Sequence, residues 1–229
     1  MNFDIINPII KIENAVFTEL HNNLIDKFGI NQFSLNAGEI IVIKTENAME
    51  AELIEDMFLG LCNPQSGQIY LNNKSLADVN NREIYQFRFK TGKITNKNLW
   101  INNLSMLENI ILPYLYHTDL GYEAIVNEVN FWAEIFGKNT IPDIRPAFDN
   151  PESLVISGWV RAFSGNKSFI IIEQPLPDNP VNTQLLFAAI SKKLLSQSSV
   201  VWIYHSNKLM NEEFFKTSRK YCVKDNCLS

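Results

Sequence analysis

The chain has 229 residues, 46% of them hydrophobic and 20% charged, with a formal net charge of −5; that suits one globular unit with a full core and argues against binding nucleic acid or an anionic membrane surface. No apolar run approaches the ~20 residues that span a bilayer, and the start, MNFDIINPIIKIEN, lacks the basic region and cleavage site of a signal peptide. Cys62, Cys222 and Cys227 make no ligand-spaced pair, so a reducing compartment and no structural metal are expected.

In chain order, PIIKIENAVF at 8–17 alternates as a strand does, and Gln32 to Leu35 lead through Gly38 into the next one. Ile40 to Ile43 form a short continuous apolar run, the pattern of a buried parallel strand. From Asn47 to Leu61 the apolar residues Leu53, Ile54, Met57, Phe58 and Leu61 recur at helical spacing, and Asn47-Ala48-Met49-Glu50 has the form of a capping box. Gly67 to Leu71 followed by Asn72-Asn73-Lys74 predicts a strand and a turn; Arg82 to Phe89 suits a helix and Thr91 to Ile94 a strand. Ser105-Met106-Leu107-Glu108 is a capping box opening a helix that Pro113 bends or ends. The segment 120–136 carries a second amphipathic helix, and Asn150-Pro151 begins a third with an N-cap and Pro at N1. Phe169 to Ile172, Val200 to Tyr204 and Arg219 to Leu228 are the remaining strands.

A strand feeding a helix through a tight turn is where P-loop proteins bind phosphate. Gly38-Glu39, Gly60-Leu61 and Pro64-Gln65-Ser66-Gly67 stand, ungapped, in the register of the first βα unit of ATP-binding-cassette (ABC) transporter ATPases, whose text is GE, a hydrophobic run, GxxGxGKST, a helix ending in GL, then PxSG. LWINNLSMLENIILPYLYH at 99–117 is similar to the family's nLTVxENIxLPL, and most like the branch serving MCE-domain lipid transporters and lipoprotein release. The resemblance runs from about residue 8 to 228. It implies an α/β fold of the P-loop, RecA-like ABC ATPase type, one unit over 1–229 with an antiparallel β subdomain and an α-helical subdomain inserted at 97–163.

The positions that carry chemistry in the family are altered here. On the same frame Thr45, Ala48 and Glu50 replace glycines, Ala51 stands at the lysine, and Glu52-Leu53 stand where Ser/Thr would bind magnesium; Asn47 lies within the loop. Such loops need glycines so that backbone N–H groups approach phosphate, and lysine to balance its charge. Here the loop and first helical turns offer Glu46, Glu50, Glu52 and Glu55, which repel an anion. Phe17 falls where the family stacks an aromatic on adenine, or is a core or edge aromatic. Asn96 stands at the γ-phosphate-sensing glutamine, or is a turn residue. Asp149-Asn150-Pro151-Glu152-Ser153 occupies the signature, where Pro151 has no N–H to donate and Glu152 carries the wrong charge. Glu173 stands at the magnesium-ordering Asp and the neutral Gln174 at the catalytic Glu, so no general base is expected there. His205 falls on the switch histidine, although a lone His at a strand end is usually structural.

The resemblance thus implies a cytoplasmic subunit, peripheral on the inner face of a membrane, that docks on a transmembrane permease and pairs with itself or with another ABC ATPase subunit. Trp100, Ile101, Leu104 and Leu107 are candidates to line the permease groove, or form a locally packed helix. Hydrolysis is expected to be lost and no cofactor is expected, with ATP and magnesium only if residual binding survives. The alternatives are an asymmetric dimer whose intact partner hydrolyses ATP, and a soluble scaffold free of any transporter.

Overall fold

The computed structural model describes residues 8–21, 24–95, 100–174, 180–205 and 212–229. Its strands are β1 (Ile10–His21), β2 (Leu24–Leu35), β3 (Ile40–Lys44), β4 (Ser66–Leu71), β5 (Lys74–Ser75), β6 (Thr91–Ile94), β7 (Phe169–Gln174), β8 (Ser199–Tyr204), β9 (Arg219–Lys224) and β10 (Cys227–Leu228). The helices are α1 (Ala48–Phe58), α2 (Asn81–Phe89), α3 (Met106–His117), α4 (Tyr122–Ile135), α5 (Pro151–Phe163) and α6 (Pro180–Leu195). The strands join in one sheet ordered β5-β4-β1-β2-β10-β9-β3-β8-β7-β6, antiparallel from β5 to β2 and parallel from β9 to β6, with β10 between them parallel to β2 and antiparallel to β9.

The apolar runs of the parallel strands are explained by burial on both faces. Ile41 and Ile43, Phe169 and Ile171, Val201 and Ile203 point to one core; Val42, Ile170, Ile172, Val200 and Trp202 point to the other. The period-2 alternation of a strand feeds two separate layers. The first core is closed by α1, α2 and the antiparallel arm, through Ile54, Phe58, Phe87, Ile12 and Phe33. Helices α3 to α6 close the second, with Ile110, Trp132, Trp159, Phe163 and Phe187. Gly92 in β6 sets how closely α5 lies on the sheet: a Cβ there would meet the Ala162 carbonyl oxygen at 2.1 Å. Among the described residues no helix is long and apolar enough to cross a membrane.

Several local signals appear as expected. Asn72 and Asn73 both have positive φ (48° and 65°), the geometry of a two-residue hairpin turn joining β4 to β5. Ser105 and Glu108 form a reciprocal capping box, and Asn150 caps α5 with Pro151 at N1. Other elements depart from expectation. The antiparallel arm is longer than its alternation suggested, twelve residues in each of β1 and β2. The last predicted strand is a hairpin, turned at Asp225 and Asn226, which both have positive φ. Pro113 lies inside α3 and does not end it. The turn beyond it is held by packing: Tyr114 is buried in edge contact with Phe89, and the Thr118 N–H and hydroxyl both donate to the Tyr114 carbonyl.

Candidate functional site

In open α/β sheets, ligands bind beyond the carboxyl ends of the parallel strands. Here those ends are in register: Lys44 pairs with Tyr204, and Tyr204 with Gln174, so β3, β8 and β7 finish side by side. The chain leaves β3 through Thr45, Glu46 and Asn47 and enters α1 at Ala48. Ala48, Glu50, Ala51, Glu52 and Leu53, aligned above with phosphate-loop residues, therefore lie within the helix.

This three-residue turn closes on itself. The Thr45 N–H donates to the Tyr204 carbonyl at 2.9 Å, the Glu50 N–H to Asn47 Oδ1 at 3.0 Å, and the Glu46 N–H to Glu50 Oε2 at 2.7 Å. The expected capping box is thus one residue displaced, because the Glu50 carboxylate bonds the N–H of Glu46 and not that of the N-cap, Asn47. A carboxylate at the first turn of a helix meets orphan N–H groups and the favourable end of the dipole. Glu50 is 8% exposed and Ala51 0%. Ala51 packs in the core under the turn, while Glu52 is exposed and Leu53 half-buried.

One helical turn on, Glu55 is fully buried, with Lys93 Nζ of β6 at 2.5 Å from its carboxylate. Burial raises its pKa to about 7; Lys93 counteracts that rise, while Glu173 and Asp56 add to it. A carboxyl raised in the folded chain supplies stability that is fully present below its ordinary value of 4.5 and lost as pH rises through about 7. The wild-type chain is therefore expected to lose about 2–3 kcal/mol of stability between pH 5 and 8 that Glu55→Gln does not lose. Urea unfolding of both chains at several pH values checks this, and parallel pH profiles would contradict it. The Glu55–Lys93 pair has no signature in the sequence, because it joins a helix to a strand 38 residues away.

At the end of β7, Glu173 and Gln174 are both 7% exposed, and Trp202 Nε1 donates to Gln174 Oε1 at 3.2 Å. His205 follows β8 directly and is half-buried. Phe17 is 3% exposed and packed among core residues, so the structure gives the core reading of that aromatic. Asn96 lies outside the described residues. At the start of α5, the Ser153 N–H donates to Asn150 Oδ1 at 2.8 Å and the Asn150 N–H to Asp149 Oδ1 at 2.9 Å. Exposed Glu152 accepts from Asn182 Nδ2 of α6 at 3.2 Å, tying the two helices together.

The loop before α3 is organised by Asn109, whose Oδ1 accepts from the Ile101 N–H and whose Nδ2 donates to the carbonyls of Ile101, Leu104 and Ser105. Ile101 is 46% exposed, whereas Trp100, Leu104 and Leu107 are half-buried, and the Arg161 guanidinium lies 4.2 Å above the Trp100 ring.

The architecture is that of ABC ATPase cassettes, a P-loop fold. A dimeric bacterial ABC transporter cassette superposes with a TM-score of 0.79, and a post-hydrolysis ABC cassette dimer bound to ADP and phosphate with 0.78, each at 17% identity and covering 96% of both chains. In sequence the chain is similar to the intermembrane phospholipid transport system ATP-binding protein MlaF of Haemophilus influenzae, 19% identical over 196 residues (84% of this chain and 73% of that protein). It is also similar to the phosphonates import ATP-binding protein PhnC 2 of Synechococcus, 35% identical over 155 residues (60% of this chain and 54% of that protein). No family model matches. The chain thus resembles ABC ATP-binding subunits in sequence as well as fold, and the likeness to MlaF agrees with the lipid-transporter branch noted above.

Proposed function

We propose that this chain is the ATP-binding-cassette subunit of a membrane transporter in which the nucleotide chemistry has been lost, leaving a structural or regulatory role. The observation that carries the proposal is the turn 45–47. Its N–H groups at Thr45 and Glu46, and that of Glu50 beyond it, already have partners within the protein, and the acceptor at Glu46 is a carboxylate. The residues present do not fit ATP and magnesium. At the lysine position Ala51 supplies no charge and is enclosed in the core. Lys93, the cation nearest Glu55, is paired with it. Gln174 cannot take a proton from water near neutral pH. The carboxylate of Glu50 does in this turn what a phosphate does in a P-loop.

Calorimetric titration of the chain with ATP-Mg is expected to show no binding at micromolar concentrations. A micromolar dissociation constant would contradict this reading of the turn. In the same proposal, the segment from Trp100 to Leu107 and helices α3 to α5 dock on a permease at the inner face of the membrane, and a second cassette, identical or different, completes a dimer. Purification of the native complex from membranes, with identification of its subunits, separates this reading from its rivals. Co-purification with an active ATPase subunit points to the asymmetric dimer, and absence of any permease points to a free scaffold.

A further inference from the structure

At the opposite end of the sheet, before the amino ends of β7 and β8, the ends of α2, α3 and α6 and one side of α4 enclose a cleft of about 980 Å³. That lies at the upper end of the range of small-molecule sites. The sequence motifs above assign it nothing. Its walls are aromatic, with Phe89, Tyr114 and Trp132 inside. At its rim Leu120, Phe131 and Leu195 are 55%, 40% and 85% exposed, so apolar surface continues outward from the cleft.

The charges on the walls are unbalanced. Lys90, Lys192 and Lys193 line the cleft against one carboxylate, Glu128. Glu128 Oε1 is already engaged, accepting from Trp132 Nε1 and the Gly165 N–H, each at 2.9 Å. Lys193 is 5% exposed; its ammonium donates to the Gly165 carbonyl at 2.7 Å and sits 4.5 Å from the centre of the Trp132 ring. Lys192 Nζ lies 4.6 Å from the centre of the Phe131 ring. Lys167, behind Phe89 and Tyr114, is also buried and donates to the Phe89 carbonyl. Burial pulls the pKa of both Lys167 and Lys193 down to about 8; Lys193 and Arg161 lower that of Lys167 further, while Glu128 partly offsets the fall at Lys193. In a chain of net charge −5 this is a local reversal of sign next to an apolar hollow.

We propose that the cleft binds a long-chain fatty carboxylate, its head on the lysines that line the cleft and its acyl chain over Phe89, Tyr114 and Trp132. The complementarity has two parts. Each methylene buried on the aromatic walls strengthens binding by roughly fourfold. A single anionic head meets three lysines that share one carboxylate, Glu128, on the cleft wall. The hollow is concave, which suits one inserted chain and not a flat bilayer.

The test uses the full chain and the fluorescent fatty acid cis-parinarate, kept below its micelle concentration. Saturable binding is expected, displaced by oleate but roughly tenfold less effectively by the neutral oleyl alcohol. Lys192→Glu and Leu195→Glu, both at exposed positions, are expected to weaken binding about fivefold or more each, with unchanged circular dichroism showing that the fold is kept. Equal competition by the alcohol would overturn the role of the lysines. Wild-type affinity in both variants would place the probe elsewhere and overturn the site. Binding only to phosphatidylglycerol vesicles, or only to an apolar helical peptide, would also overturn the proposal. None of these outcomes depends on whether the chain binds ATP.

Discussion

Ala51→Lys, which restores the lysine of the family's phosphate loop, is expected to destabilise the chain by about 3 kcal/mol and to produce no ATP hydrolysis. Ala51 has no exposed surface and packs with Ile54 and Phe58 of its own helix against Ile41 and Ile43 of β3. A lysine there must leave its ammonium in the core or force the helix outward. The carboxylate at helical spacing from it is Glu55, one turn on, but Lys93 already holds that group. A loss of this size corresponds to roughly 6–12 °C in melting temperature for a chain of this length. Ala51→Met separates volume from charge, since it adds comparable bulk with no ammonium and should cost clearly less. Activity is expected to stay at background in a phosphate-release assay, because the turn still lacks glycines, a hydroxyl for magnesium and a base at Gln174. A stable Ala51→Lys chain that hydrolyses ATP would refute both the packing argument and the proposed loss of nucleotide chemistry.

A second large effect is expected away from that turn. Gly92→Ala should cost about 3 kcal/mol or more, measured by urea unfolding. The added methyl would lie 2.1 Å from the Ala162 carbonyl oxygen and 3.1 Å from Ile170 Cγ1. The first contact is with helical backbone, which cannot rotate away as a side chain does, so α5 must lift from β6. Its N-terminus carries the Glu152–Asn182 link to α6, and its far end carries Trp159 and Phe163 in the core. A change below 1 kcal/mol would show that α5 can shift freely, contrary to the packing described here.

The sequence reveals what is decided locally or by pattern. Both-face burial of β3, β7 and β8 follows from their unbroken apolar runs, and the starts of α3 and α5 follow from Ser105, Glu108, Asn150 and Pro151. Glu50 was visible as a capping acid, but its actual partner, Glu46, depends on the backbone path of the turn. Phe17 was ambiguous because an aromatic on an alternating strand fits a core or a ligand equally well, and only its packing decides. The continuation of α3 past Pro113 could not be read from propensity, since the turn is held by Tyr114 and by Phe89 of another helix. The Glu55–Lys93 pair and the lysine-lined cleft are hidden for one reason: each joins side chains from elements far apart in sequence.

The rims of the sheet bear on how the chain meets other molecules. The terminal strands β5 and β6 are only two and four residues long. But β1 pairs with β4 only between Ile10 and Val16, and β2 with β10 only at Gly29 and Ile30, so among the described residues the outer end of the β1–β2 hairpin, 17–21 with 24–28, pairs only with itself. Growth by strand addition, the route to fibrils and to swapped assemblies, has its template at the outer end of that hairpin and little at β5 or β6. Away from the hairpin, association works through side chains on helix surfaces and on the loops at the strand ends. Contacts of that kind are read residue by residue, and single substitutions at the surface should tune them without disturbing the sheet.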